Sequence, residues 1–161
     1  DITRSIVMLN PVDVNSVGTY TVTYNVDDAA GNAAVQVARL VKIGGTIDID
    51  GNAQYDALTD GLLLLRSMFG LDGNALTSGA IASDATYVSS ADVESQIATL
   101  GALIDIDGNG QIDALTDGLL ILRYLFGLEG DVLIHGVVAL DATRTTPQAI
   151  EEYLSRLAPN S

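Results

Sequence analysis

The stretch that decides the fold, DIDGNAQYDALTDGLL at residues 48–63, returns as DIDGNGQIDALTDGLL at residues 105–120. The second copy begins 57 residues after the first, and the similarity continues at this offset to Leu100 and Leu157. Each copy opens with carboxylates and an amide on alternate residues, the pattern by which a single loop presents oxygen ligands to a hard divalent cation. The sequence therefore predicts a duplicated unit with one metal loop in each copy.

The spacing of these side chains follows an EF-hand loop, which takes ligands from positions 1, 3, 5, 7, 9 and 12 and has glycine at position 6. Position 12 is Thr59 in the first loop and Thr116 in the second, and an acid follows one residue later. Either the threonine or the acid after it can complete the coordination shell. Because Asp is shorter than the usual Glu, we expect an altered helix start to carry it to the ion. The predicted ligands are Asp48, Asp50, Asn52, the Gln54 carbonyl, Asp56 and Asp60, and then Asp105, Asp107, Asn109, the Gln111 carbonyl, Asp113 and Asp117.

Two calcium ions are the predicted cofactors. A solvated acidic loop with helix-capping Asp residues is the alternative, but four carboxylates within residues 48–60 are costly without a cation, and the pattern occurs twice. Magnesium prefers octahedral sites that keep several waters. Ala53 stands where the second loop has Gly110, and a positive φ there would cost alanine about 1 kcal/mol. We therefore expect the first site to be the weaker one, the more so because a helix leads only into the second loop.

The composition narrows the classes of partner. The 161 residues include 7 basic and 21 acidic side chains, for a net charge of −14, which opposes binding to nucleic acid and anionic membranes. No apolar run approaches the ~20 residues of a membrane span, and the absence of cysteine excludes disulfides and thiolate chemistry. Because neither an initiator Met nor a signal peptide opens the chain, we expect a fragment of a larger exported protein.

Catalysis is not predicted. His135 is the only histidine, its counterpart in the first copy is Ser78, and no Ser/His/Asp set is indicated. The paired carboxylates lie on alternate residues of one short loop, which is the geometry of a chelate and not of two acids facing each other across a sugar. We therefore predict that the protein is not an enzyme.

A small β domain is predicted for residues 1–45. Residues 19–26 alternate Tyr and Val with Thr and Asn, which indicates a strand, and a return strand is predicted at residues 33–43. The string VGTYTVTYNVDDAAGN at residues 17–32 resembles the last strands of bacterial immunoglobulin-like repeats of surface and secreted proteins. A whole sandwich takes roughly 80–100 residues. The resemblance thus implies a truncated domain, and we expect Tyr20, Val22 and Tyr24 to form a bare face that favours self-association.

The remainder of the chain, residues 46–161, is predicted to be helical and duplicated, with repeats at residues 46–102 and 103–158. Each metal loop leads into an apolar helix closed by glycine, then a Gly-rich linker, then a helix with a capping signal at its start. The predicted first helices are Leu58–Gly70 and Leu115–Gly127, the linkers are residues 71–88 and 128–145, and the second helices start at Ser89 and Thr146. The fold class is therefore α+β, a short antiparallel β segment followed by an all-α duplicated EF-hand-like calcium module.

The paired loops, each Asp-x-Asp-Gly-Asn-x-Gln-x-Asp before an apolar helix, resemble type I dockerin domains, the duplicated calcium modules that dock onto cohesins in bacterial cell-surface assemblies. This resemblance implies a docking or anchoring module with a cohesin-like or other surface partner, in a secreted or cell-surface protein. The contact would involve an apolar helix face with residues 57–58 or 114–115. A calcium-stiffened spacer with no dedicated partner is the alternative. Carbohydrate binding is disfavoured because the loops are poor in aromatic residues.

Three further repeated features have structural interpretations. The first helices are apolar nearly all round, so we expect each to be buried by its duplicate and by the linkers, or else to leave one face for a partner. Arg66 and Arg123 recur in register and are predicted to pair with loop carboxylates or helix-end carbonyls. The repeated Asp-Ala-Thr at residues 84–86 and 141–143 predicts turn or cap chemistry.

Overall fold

The computed structural model describes residues 6–12, 18–28, 30–43 and 46–159, and the chain divides into two compact units, Asp1–Gly44 and Gly45–Ser161. In the described residues, the first unit holds a small antiparallel sheet and the second holds six α-helices, so the α+β class is confirmed. Gly45, the last residue of the predicted β domain, lies outside the described residues. Within the described ranges, no helix combines the length and the apolar character needed to cross a membrane.

The sheet of the first unit has three strands in the order β1-β2-β3, which are Val7–Leu9, Gly18–Asn25 and Val37–Ile43. The predicted return strand is wrong at its start, because regular pairing begins at Val37 and not at residue 33. Asp28 closes the turn before this strand: its Oδ1 accepts hydrogen bonds from the backbone N–H groups of Ala30 and Asn32, at 2.8 and 2.9 Å, and an isolated bridge joins Asp27 to Ala33. The register of this bridge differs by one residue from that of the ladder, so regular pairing is interrupted between Ala33 and Val37.

The exposed apolar residues of this unit are not the predicted ones. Val22, on the face predicted to be bare, is buried. The exposed apolar residues lie instead on β1, on β3 and in the segment before β3. Val7 of β1 is 67% exposed, and Val35, before β3, is 92% exposed. Because β1 and β3 are the two edges of the described sheet, its uncovered apolar surface lies at the edges and not along the central strand.

The second unit repeats one order of elements: the predicted metal loop, one π-helical turn, an α-helix, a short α-helix and a longer α-helix. The first copy contains the π-turn Ala57–Gly61, α1 at Leu62–Met68, α2 at Gly73–Thr77 and α3 at Ser90–Leu100. A 3₁₀ turn at Gly101–Ile104 connects it to the second copy. The second copy contains the π-turn Ala114–Gly118, α4 at Leu119–Leu125, α5 at Asp131–Ile134 and α6 at Pro147–Leu157.

The capping predictions for the two longer helices are confirmed. The Ser89 hydroxyl accepts a hydrogen bond from the N–H of Asp92 at 3.2 Å, and the Thr146 hydroxyl accepts one from Ala149 at 3.3 Å, with Pro147 in the first turn of α6. Each side chain satisfies an N–H that has no partner inside its helix. These starts are local events, which is why the sequence is sufficient to place them.

Each Gly-rich linker contains a short helix, which the sequence did not predict. Leu76 of α2 and Leu133 of α5 are fully buried and anchor these turns in the core. Arg66 donates to the carbonyls of Leu76 and Ser78, at 2.8 and 2.9 Å, and Arg123 repeats this arrangement at the end of α5. The helix-end role predicted for the two arginines is thereby confirmed.

The two copies pack on each other through glycines at the ends of the π-turns. A Cβ added to Gly61 would lie 3.0 Å from Leu122 Cδ1, and one added to Gly118 would lie 2.8 Å from Leu65 Cδ1. The absence of a side chain at these positions lets α1 and α4 approach closely. The leucine-rich helices are therefore buried by their duplicates and by the linkers, as predicted, with Leu63, Leu64, Leu120 and Ile121 fully buried.

Candidate metal centre

Two groups of three carboxylates occupy the same place in the two copies. One oxygen from each of Asp48, Asp50 and Asp60 lies within 4.8 Å of the others, and the second group repeats this arrangement. We call these groups the first triad and the second triad; the second consists of Asp105, Asp107 and Asp117. In each triad the last two aspartates are fully buried, and the first is half-buried. Buried carboxylates of like charge within such a distance need a compensating cation or proton.

The π-turn brings the acid that follows loop position 12, Asp60 or Asp117, back to its loop; we call this residue the late acid. Asp60 Oδ1 accepts hydrogen bonds from the N–H groups of Ile49 and Asp50, at 2.6 and 3.3 Å, and Oδ2 accepts one from Asp56 at 2.9 Å. Asp117 repeats all three contacts at 2.6, 3.2 and 2.8 Å. The altered helix start expected from the sequence is therefore a π-turn, and the acid that follows the threonine lies in each triad.

The other predicted ligands lie at the rim of the loops. Asp56 and Asp113 are exposed and belong to neither triad, and Asp113 Oδ1 caps the second π-turn by accepting from Leu115 N at 2.7 Å. The side-chain oxygens of Asn52 and Asn109 accept from the N–H of the glutamine two residues later. Gln54 and Gln111 are exposed. The structure thus brings together three of the four acids predicted in each loop and leaves position 9 outside.

The first triad contains an unsatisfied buried atom. Asp50 Oδ2 accepts a hydrogen bond from Ala82 N at 3.0 Å, but Oδ1 is buried and has no hydrogen-bond partner among the described residues. In the second triad both oxygens of Asp107 are paired, with Asn109 N and Ala139 N. A buried carboxylate oxygen without a donor is costly, and a cation held between the three aspartates would compensate it. The residues present therefore fit a hard divalent cation.

The pKa values of the two late acids also show that their negative charges are not fully compensated by the protein. Burial raises the pKa of Asp60 to about 6, although hydrogen bonds from Asp56, Ile49 and Asp50 favour the ionised form. Burial likewise raises the pKa of Asp117. A positive ion beside these carboxylates would favour their charged form and oppose the shift.

Each linker contributes residues that close over the loop of its own copy. These residues were not predicted to belong to the site. The backbone N–H groups of Thr86 and Tyr87 donate to the Asp50 carbonyl, at 2.9 and 2.8 Å, and the Asp84 carboxylate accepts from the side-chain amides of Asn52 and Gln54. In the second copy Thr143 and Arg144 donate to the Asp107 carbonyl in the same way. The interpretation of Asp-Ala-Thr as local turn or cap chemistry was incomplete, because these residues connect the linker to the metal loop. Their repetition in register was the only signal.

The backbone at position 6 of each loop is left-handed. Ala53 has φ +66° and Gly110 has φ +85°, and Ala53 is the only non-glycine with positive φ in the described residues. The strain predicted for the first loop is therefore present at Ala53.

Exchanging this residue between the loops should shift stability in opposite directions. Ala53→Gly is expected to stabilise the protein, and Gly110→Ala to destabilise it, each by about 1 kcal/mol in the free energy of unfolding. No atom lies within 4 Å of a Cβ added at Gly110, so packing does not contribute there. Urea denaturation of both variants in calcium measures the effect. A stabilising Gly110→Ala would contradict it.

Comparison with known families gives a match for the N-terminal part of the chain. A family model for the Ig-like domain of bacterial surface proteins matches residues 1–55, which include the sheet and extend past Gly45 into the first metal loop. No dockerin model matched the chain. The comparisons with curated proteins and with solved structures found no match. The N-terminal segment is thus similar to a bacterial surface Ig-like domain, which indicates that the chain is part of a surface or secreted protein.

Proposed function

We propose that residues 46–159 form a calcium-binding docking module carried by a bacterial surface protein. The observation that supports it most strongly is the pair of matching aspartate triads, each with two fully buried carboxylates. All the donors are oxygens and the chain has no cysteine, which favours a hard ion over zinc. Calcium is favoured over magnesium because a cluster of carboxylates from one loop replaces most of the hydration shell.

The position of the triads gives calcium a structural role. Each triad joins the start of the loop to a late acid inside the π-turn, and the same loop receives hydrogen bonds from the linker. An ion at this point therefore fixes the direction of α1 or α4 relative to the loop. Its binding free energy then contributes directly to folding.

Calorimetry and circular dichroism test the calcium proposal together. Metal-free protein titrated with calcium should bind two ions, and chelator should lower its melting temperature and remove part of the helical signal, with recovery on readdition. Asp50→Asn and Asp107→Asn should each remove one binding event, whereas Asp92→Asn, at an exposed helix start, should remove none. An unchanged spectrum after confirmed metal removal would contradict a structural role.

A pair of exposed apolar residues supports the docking part of the proposal. Leu58 and Leu115, the second residues of the two π-turns, are 66% and 60% exposed, and Phe69 and Phe126 beyond α1 and α4 are also exposed. Exposed apolar side chains that recur in both copies offer a contact surface for a protein partner. Ala57 and Ala114, the other residues expected at the contact, are buried.

Binding to a cohesin separates docking from the alternative of a calcium-stiffened spacer. Immobilised type I cohesin should retain the protein in calcium and release it in chelator. The double variant Leu58→Ser/Leu115→Ser should lose retention and keep both calcium ions. If surface proteins of several bacteria, cohesins included, fail to bind the calcium-loaded protein, the spacer is the better description.

The exposed edges of the sheet support self-association as a second property. Val35, Leu40 and Val7 are each more than 60% exposed, and edge strands carry unpaired backbone groups. Light scattering on a dilution series should show an average mass that rises with concentration. A mass that stays at that of one chain at millimolar concentration would exclude it.

A further inference from the structure

One residue beside the metal loops differs in charge between the two copies. Tyr87 and Arg144 follow the repeated Asp-Ala-Thr at the same position, and both donate a backbone N–H to the loop below, at 2.8 Å in each case. Their side chains make different contacts with that loop. The duplication therefore supplies an internal comparison in which the backbone is matched and the side chain is not.

The Arg144 guanidinium joins the second loop at two adjacent carbonyls. Its Nε donates to the Ile106 carbonyl at 2.6 Å, and its Nη2 donates to the carbonyl of Asp105, the first residue of the triad. A planar fork with several donors suits such a pair of acceptors, and hydrogen bonds from a charged donor are stronger than neutral ones. Arg144 thereby fixes the backbone from which Asp105 and Asp107 project.

The guanidinium is itself held in place by an aromatic ring. It lies 4.0 Å from the ring centroid of Tyr153, which is 6% exposed and donates its hydroxyl to the Leu103 carbonyl at 3.1 Å. A cation over an aromatic face is attracted by the ring quadrupole. The position equivalent to Tyr153 in the first copy is Gln96, so this support belongs to the second copy alone.

The first loop has an aromatic ring where the second has the cation. The Tyr87 ring lies against Gly51, so closely that a Cβ on that residue would come within 2.7 Å of it. A tyrosine side chain offers one neutral hydroxyl donor and no positive charge. The first loop also contains the strained Ala53 and the unsatisfied Asp50 Oδ1.

We propose that Arg144 is a positioning residue, a tethered cation that holds the second loop in its metal-binding conformation when calcium is absent. The first loop has no such group and becomes ordered only when the ion binds. Calcium therefore changes the order of the first loop much more than that of the second, and the first loop is the calcium-responsive half of the module. The calcium response of the first loop rests on the proposed calcium function, whereas the role of Arg144 in the metal-free protein does not.

Amide hydrogen exchange in chelator tests the role of Arg144 directly. In the metal-free protein the amides of Ile106, Gly108 and Gly110, which donate to triad carboxylates, should exchange at least tenfold more slowly than those of Ile49, Gly51 and Ala53. Arg144→Tyr, which installs the residue of the first copy, should remove this difference and leave the Leu154 amide unchanged. Arg144→Lys retains the charge without the planar fork and should recover only part of the protection.

The reciprocal change distinguishes a specific clamp from general stability. Tyr87→Arg combined with Gln96→Tyr should slow exchange of the Ile49 and Gly51 amides in chelator, a gain that loss of stability cannot mimic. Equal exchange of the two loops in the unaltered metal-free protein, or no effect of Arg144→Tyr, would overturn the proposal. Adding calcium should slow exchange in the first loop of every variant. If calcium does not slow this exchange while the chelator results hold, the proposed calcium function is wrong and the proposed role of Arg144 stands.

Discussion

Asp60→Ala is expected to destabilise the helical module by at least about 3 kcal/mol, measured as the free energy of unfolding in urea with calcium present. The carboxylate is fully buried and accepts three backbone hydrogen bonds, two of them from the buried segment of Ile49 and Asp50. Alanine leaves these N–H groups without an acceptor, and each unsatisfied buried donor carries a desolvation cost. The variant also loses a triad carboxylate, so the contribution of the ion at that site decreases as well.

Asp56→Ala is the matched control for this prediction. It removes the same functional group from the same loop, but Asp56 is exposed and lies outside the triad. We expect a change of less than about 1 kcal/mol, as for most surface substitutions. Asp117→Ala should reproduce the large effect in the second copy, where the three hydrogen bonds recur. Equal losses from Asp56→Ala and Asp60→Ala would show that loop charge, and not the buried hydrogen bonds, determines stability.

Gly108→Ala is expected to cost roughly 2–4 kcal/mol in the free energy of unfolding, because left-handed strain and overpacking add at this position. Gly108 has φ +75°, and an added Cβ would overlap the Thr143 hydroxyl and lie 3.0 Å from Arg144 Cζ. The hydroxyl cannot move away freely, since it donates to the Gly108 carbonyl at 2.9 Å. The substitution would therefore push the linker off the loop.

Gly110→Ala provides the control, because it shares the positive φ and the loop but has open space around the added Cβ. The difference between the two variants isolates the steric part of the cost. Gly51→Ala should resemble Gly108→Ala, since its Cβ would meet the Tyr87 ring at 2.7 Å. Thermal or urea unfolding of the three variants in calcium gives the comparison. A loss at Gly110 as large as that at Gly108 would show that close approach of the linker contributes nothing.

Much of the local structure could be predicted because its causes are local. The capping residues Ser89 and Thr146 place the starts of α3 and α6, and the glycines after α1 and α4 place their ends. The alternation in residues 19–26 gives the central strand, although a one-residue change of register shortens its partner. At the helix starts and ends the deciding contacts lie within a few residues of one another.

The candidate site could be predicted only in part. Spacing alone identified the loops and both late acids, but it placed Asp56 and Asp113 with the ligands, and their carboxylates lie outside the triads. Whether a loop residue points inward depends on the backbone path, and here the π-turn takes up the one-residue shift of the acid. An EF-hand template contains no such turn, so it does not predict which acids lie together in a triad.

The sequence by itself determined that there are two matching acidic loops, where α3 and α6 start, and that an alanine stands in the first loop where the second has glycine. Only the tertiary structure decided what closes the loops. The linker aspartates, Arg144 and the glycines at the helix crossing act on residues about 30 to 60 positions away. The contacts of the aspartates and Arg144 form when a linker folds back on the loop of its own copy, and the glycine contacts form when the two copies pack together. Both depend on shape and burial across the whole module. A periodic pattern in one segment carries no record of them.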